Sequence, residues 1–125
     1  FACQLYESCK TASQAYKITK ASGIYSSPGD CSALEHSILN VGPAASGVFV
    51  DVDTWFSYSS GTYSCPSSVT IDTVINHAVI VVGIDATTFL IQNSWGTTWG
   101  ESGLMRLSKK ANCNLCKHEL YLPEA

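Results

Sequence analysis

Positive charge is scarce in this sequence. Seven Lys and Arg, spread without clusters, against ten Asp and Glu give a net charge of -3. Neither a phosphate-tracking face nor a patch for anionic lipid can be assembled from so few, so neither nucleic acid nor membrane is an expected partner. Long apolar runs are lacking too. The longest, Ala78 to Val82, falls far below the ~20 residues of a membrane span. There is no internal repeat and no low-complexity tract, and Asn93-Ser94-Trp95 fails as a glycosylation acceptor at its third residue. The sequence opens on Phe1 with no charged-then-apolar leader, which reads as a piece cut from a longer precursor.

Cysteine and apolar side chains are plentiful. At 125 residues and 46% hydrophobic content, one packed core is expected, a single domain over 1–125. Six cysteines in so short a chain point to an oxidising compartment, secreted or lysosomal/vacuolar. Cys113-Asn114-Leu115-Cys116 has the gap of a metal hairpin, but no second pair of that spacing accompanies it. No metal and no cofactor are therefore expected, and the disulfide pairing stays open at this point.

Residues 1–28 lack periodicity and read as loop, with short extended pieces around Tyr16 to Thr19. Ser32 followed by Glu35 is a capping-box pattern; Leu34, Ile38 and Val41 then recur at helical spacing until Gly42-Pro43. Ser46 to Val52 reads as a strand, and Ser57 to Ser68 as a long irregular surface segment. Apolar runs at Ile75–Val82 and Phe89–Ile91 flank a break and predict a β-hairpin. With the turn over Ile84-Asp85-Ala86, His77 lies directly opposite Asn93 on one sheet face. Both hairpin faces are apolar, so the second needs a cover. Leu104–Leu107 and Glu119–Leu122 read as further strands.

An imidazole facing a side-chain amide has a specific use. The amide oxygen accepts the proton of one ring nitrogen, fixes the tautomer, and leaves the other nitrogen as a base. A satisfied core histidine beside a turn-forming asparagine is the plainer alternative, and the neighbouring residues weigh against it.

Asn76-His77-Ala78-Val79, followed sixteen positions after the histidine by Asn93-Ser94-Trp95-Gly96-Thr97-Thr98-Trp99-Gly100-Glu101-Ser102-Gly103, resembles the papain and cathepsin family of cysteine proteases. Leu39-Asn40-Val41-Gly42-Pro43 and Asn114-Leu115-Cys116 are similar to further landmarks of that family, in the same order. The resemblance implies a mainly β (α+β) fold, the right-lobe antiparallel β-barrel of a papain-like protease with one or more short helices. By position it implies His77 as the catalytic histidine, Asn93 as the asparagine that orients it, and Trp95 as the shield of their hydrogen bond. Trp99 reads as mainly structural. The resemblance also implies that Gly47, Ile75, Asn76 and Ala78 contribute to substrate binding, with a further pocket wall near Leu120 or Tyr121. It implies a Cys65–Cys116 disulfide and an interchain role for Cys9, and leaves Cys3, Cys31 and Cys113 without counterparts. His36 and His118 read as surface histidines.

The family's nucleophile sits in a Cys-Gly-Ser-Cys-Trp type string, and none of the six cysteines has that context. Family spacing places it about 50 to 70 residues upstream of Phe1. The expectation is therefore one chain of a two-chain cysteine endopeptidase, inactive alone, whose partners are a left-lobe chain carrying the nucleophilic cysteine and a peptide or protein substrate. The alternative is a non-catalytic cathepsin-like component acting in binding or structure.

Overall fold

The computed structural model describes residues 20–24, 27–117 and 120–124. The expected extended pieces around Tyr16 to Thr19, and Cys3, Cys9 and His118, lie outside the described residues.

In chain order the elements are β1 (Lys20–Ile24), α1 (Ser32–Asn40), β2 (Ala44–Val48), α2 (Val52–Phe56), β3 (Thr62–Tyr63), β4 (His77–Ile84), β5 (Thr88–Gln92), β6 (Leu104–Ser108) and β7 (Leu120–Glu124). One seven-stranded sheet holds them in the order β1-β7-β2-β4-β5-β6-β3. The expected right-lobe antiparallel barrel is corrected by this order. Closing a barrel requires the two edge strands to hydrogen-bond, yet β1 pairs with β7 and two-residue β3 pairs in parallel with β6. The architecture is a mixed α/β domain with an open sheet. β1 and α2 fall in stretches that read as loop or as strand end, because each is only five residues long and carries no full period of its own.

Helix α1 forms where expected, but its start differs. Cys31, not Ser32, is the N-cap and makes no side-chain cap bond. Asp30 Oδ1 instead accepts from the Ser32 amide at 2.9 Å, and that bond holds the Asp30 carboxyl below the usual carboxylate range. Leu34 is fully buried and Ile38 half-buried, whereas Val41 is left exposed past the helix end.

The hairpin register decides the site. Ile84 pairs with Phe89 and Gly83 with Leu90; the register then shifts, so that Val81 pairs with Ile91 and Ile80 with Gln92. The turn is Asp85-Ala86-Thr87, one residue later than expected, and Asp85 Oδ1 accepts from the amides of Thr87 (2.8 Å) and Thr88 (2.7 Å). A regular ladder running back from this turn would put His77 and Asn93 on opposite faces, since side chains alternate. The extra residue at Val82, a β-bulge, returns them to one face. His77 is consequently not opposite Asn93 but diagonal to it, two residues along from Val79. The inner face of β4 and β5 carries His77, Val79, Val81, Phe89 and Ile91, of which all but His77 are buried, while Ala78, Ile80 and Gln92 on the outer face are exposed.

The expected Cys65–Cys116 bridge is also corrected. Cys65 pairs with Cys113 and Cys116 with Cys31. Family order alone carried the expectation, and it gave no partner to Cys31 or Cys113. The fold brings both to the turn at 112–117, which is pinned at Cys113 and Cys116 to two separate segments. Cys113 and Cys116 are therefore not thiols available to a metal. The bridges close loops of sequence separation 48 and 85, a range in which loop-closure entropy is worth roughly 4 kcal/mol each.

Candidate active site

His77 opens β4 and pairs across the sheet with Val48 of β2. Its position is set by the residue before it. The Asn76 side chain accepts from the Val50 amide (2.7 Å) and donates to the Val50 carbonyl (3.0 Å), continuing the β2–β4 contact beyond the end of the ladder. Asn76, expected to touch substrate, thus has its amide engaged on backbone and anchors the strand end that carries His77.

The imidazole Nε2 lies 2.9 Å from Asn93 Oδ1. The same oxygen accepts from the Ser94 amide at 2.8 Å. A backbone N–H can only donate, so the atom facing both groups is the oxygen, and Nε2 must carry the ring proton. In the neutral imidazole, Nδ1 is then the basic nitrogen. Asn93 is 7% exposed and its own amide donates to the Gly103 carbonyl at 3.1 Å, which ties the end of β5 to the start of β6. The donor of its side chain, Nδ2, is buried and has no hydrogen-bond partner among the described residues.

Two of the three tryptophans pack against His77, and the third packs on those two. The Trp95 ring centre lies 5.3 Å from that of His77 and Trp55 presents its edge at 6.4 Å. Trp99 stacks on Trp55 at 6.1 Å and donates Nε1–H to the Trp55 carbonyl at 2.7 Å. Phe56 stacks on Trp95 at 4.8 Å while 62% exposed. Low polarity around the His77–Asn93 bond strengthens it relative to the same bond in water. Trp55 and Phe56 were missed in the sequence, since α2 is too short for periodicity to announce it. The available signal was an aromatic pair in an otherwise polar stretch.

The loop 93–103 reaches its shape through glycine. Gly100 has φ +58°, and a Cβ there would stand 2.6 Å from the Leu104 carbonyl oxygen and 3.2 Å from the Tyr58 ring. Glu101 closes the loop: it accepts from Arg106 Nη2 at 2.6 Å, from Arg106 Nε at 3.0 Å and from the Gly61 amide at 3.1 Å. Those bonds, Arg106 first, hold its carboxyl down to about 2.

Gly47, Ile75 and Ala78 come together beside His77. Gly47 pairs directly with Ala78, and a Cβ on Gly47 would meet Ile75 Cγ2 at 2.9 Å. On the outer face, Ala45, Ala78, Ile80 and Gln92 line a cavity of about 280 Å³ that reaches Asn93 and Ser94. The expected wall at Leu120 or Tyr121 rests on side chains outside the described ones. His36 is exposed and hydrogen-bonded to Asn40, remote from the motif in sequence. Among the described residues no cluster of His, Cys, Asp and Glu is arranged to hold a metal ion, and no helix is long and apolar enough to cross a membrane.

Comparison with known proteins bears on this geometry directly. A family model described as papain family cysteine protease matches residues 2–122. The chain belongs to the papain family. It is 46% identical over 79 residues to the gamete and mating-type specific protein A of Dictyostelium discoideum, covering 62% of this chain and 16% of that protein. It is 40% identical over 82 residues to the putative cathepsin L 3 of Paramecium tetraurelia, covering 64% of this chain and 24% of that one. The solved digestive procathepsin L 3 of the Tenebrio molitor larval midgut superposes with TM-score 0.70 at 28% identity, over 89% of this chain and 36% of that one. The chain thus spans about a quarter or less of the two curated relatives.

The match also corrects several expectations. It runs as one continuous papain-family domain over nearly the whole sequence, so the chain is not set apart as a separable right-hand lobe. The left-lobe partner chain, the two-chain heterodimer and inactivity pending a second chain were all built on that division, and they lose their support with it. The division rested on counting residues back to a nucleophile string, and a spacing does not mark a domain boundary. The likeness to cathepsins holds, and the two disulfides suit an oxidising compartment.

Proposed function

We propose that this chain contributes a general base and its orienting amide to cysteine-type hydrolysis of peptide bonds. The observation that carries the reading is the His77 Nε2–Asn93 Oδ1 hydrogen bond of 2.9 Å, with the amide held by Ser94 and the ring flanked by Trp95. Nδ1 of His77 takes the proton of a thiol, giving a thiolate–imidazolium pair. The thiolate adds to the scissile carbonyl; the C–N bond breaks as His77 returns the proton to the departing nitrogen. His77 then deprotonates a water that attacks the thioester, releasing the acid and restoring the thiol. The four described cysteines are held in disulfides, so none of them is that thiol. Asn93 orients the ring, and Trp95 keeps water from their bond.

Gly47, Ile75 and Ala78, brought together by the β2–β4 pairing, are the residues this reading assigns to the side chain of the second substrate residue before the cleaved bond. Asn76 supports that pairing through Val50. A secreted or lysosomal setting suits the disulfides.

The test uses the protein purified in native form from its source. Hydrolysis of a fluorogenic dipeptide substrate, blocked by a thiol-directed epoxide and reduced by at least about 100-fold in His77→Ala, supports the reading. A folded preparation that neither hydrolyses peptides nor takes up the epoxide overturns it, and leaves a non-catalytic binding or structural component.

A further inference from the structure

A second cavity, of about 260 Å³, shares no lining residue with the site around His77, and both halves of the Cys65–Cys113 bridge line it. Cys113 is 1% exposed while Cys65 is only half-buried, so a small molecule entering the cavity meets Cys65 first. Lys110 is the one charged residue among those lining it and is exposed. An ammonium there draws in a thiolate and steadies the negative charge on a departing sulfur.

The bridge restrains a turn held out of its preferred shape. Cys113 (φ +54°) and Asn114 (φ +61°) lie consecutively in the left-handed region, which asparagine tolerates and cysteine adopts only where its surroundings fix it. Asn114 Nδ2 is anchored on the carbonyls of Thr70 (2.8 Å) and Thr73 (3.0 Å); Cys113 is held by its bridge. The same turn grips the strand beside the imidazole. The Cys113 carbonyl accepts from the Phe49 amide at 2.8 Å, and the Leu115 carbonyl from the Ser46 hydroxyl at 2.6 Å. Phe49 lies between Val48, which pairs with His77, and Val50, which Asn76 holds.

We propose that the Cys65–Cys113 bridge is a thiol-exchange site for a low-molecular-weight thiol, and that its opening loosens the 48–50 segment that positions His77. The incoming thiolate attacks Cys65 Sγ and forms a mixed disulfide there. The Cys65–Cys113 bond breaks, and its electron pair leaves on Cys113 Sγ, which takes up the proton the incoming thiol released. A second thiol then frees Cys65 as a thiol and departs with the first as their disulfide. Cys113, no longer tethered, relaxes out of the left-handed region and gives up its bond to Phe49. The effect on catalysis rests on the peptidase reading of His77 and Asn93; the exchange itself does not.

The experiment treats the native protein with reduced glutathione, quenches in acid, caps free thiols with an alkylating agent and maps both marks by fragmentation mass spectrometry. Hydrogen exchange, and kcat and KM per epoxide-titrated site, are measured on the desalted protein. The expected result is Cys113 alkylated, with Cys65 carrying glutathione or the alkylating agent, before Cys31–Cys116 opens. The Phe49 amide loses protection while the amides of β5 and β6 keep theirs. The kcat falls by at least about threefold in proportion to the fraction opened, with KM near its native value, as misplacement of His77 requires. A Cys65–Cys113 bridge that stays closed while Cys31–Cys116 opens, protection lost across the whole sheet, or an opened protein with unchanged kcat overturns the inference. A native protein that cleaves no peptide refutes the peptidase reading instead, and the mass and hydrogen-exchange readings still decide the exchange site.

Discussion

Replacing Asn93 with alanine tests the tautomer argument at its source. Asn93 Oδ1 receives two donors, His77 Nε2–H and the Ser94 amide, in a site where Asn93 is 7% exposed. Removing the oxygen leaves both part-buried donors without that acceptor, at about 1 kcal/mol and up to about 3 kcal/mol where water does not replace it. For a chain of this size that lowers Tm by roughly 4–12 °C. The more discriminating readout is the imidazole itself. Long-range nitrogen–proton correlation NMR on 15N-labelled protein at high pH separates the two neutral tautomers by their ring-nitrogen shifts. The native protein is expected in the Nε2–H form. Asn93→Ala releases that constraint and shifts the population toward a mixture, whereas Asn93→Asp keeps an acceptor in place and retains the Nε2–H form. If Asn93→Ala keeps the native tautomer, another contact sets it and Asn93 is only a loop anchor.

Glu101 gives a pH prediction. Its folded-state value of about 2 lies below the ordinary 4.5, so its contribution is fully present above about 4.5 and is lost as pH falls towards 2. Acid unfolding followed by circular dichroism should show Glu101→Gln less stable near neutrality, with the gap to the native protein closing below pH 4. Trp55→Ala, which removes a fully buried ring under both His77 and Trp95, should cost about 3–5 kcal/mol in urea unfolding. Gly100→Ala should cost at least about 1–3 kcal/mol, because φ +58° and a backbone oxygen at 2.6 Å both oppose a side chain. Alkylation of the denatured, unreduced chain should modify no more than the two cysteines other than Cys31, Cys65, Cys113 and Cys116; after reduction the mass should report all six.

Much of the site was legible because its residues lie within two short strings. Asn76-His77-Ala78 and the run from Asn93 to Gly103 hold the imidazole, the amide bonded to it, the Trp95 ring beside them and the glycines of the loop, all local in sequence. The pocket residues were less secure, since Gly47 and Ile75 meet only through the β2–β4 pairing. Asn76 was expected to bind substrate, and nothing in its identity indicated that Val50 would claim both ends of its amide.

The sequence by itself determined the hairpin, helix α1, the His77–Asn93 association and a cysteine content that suits an oxidising setting, because periodicity, motif spacing and cysteine number are properties of a linear string. Only the tertiary structure decided the hairpin's register: the turn falls one residue later than the spacing suggested, and a single bulged residue at Val82, which leaves no mark on composition, returns His77 and Asn93 to one face. It also decided the open sheet over a closed barrel, and the pairing of Cys31 with Cys116 and of Cys65 with Cys113. Trp55 and Trp95 meet at the imidazole, with Trp99 packed on both of them, for the same reason. Edge closure, disulfide choice and aromatic packing depend on distances between segments remote in the chain, and sequence spacing does not contain those distances.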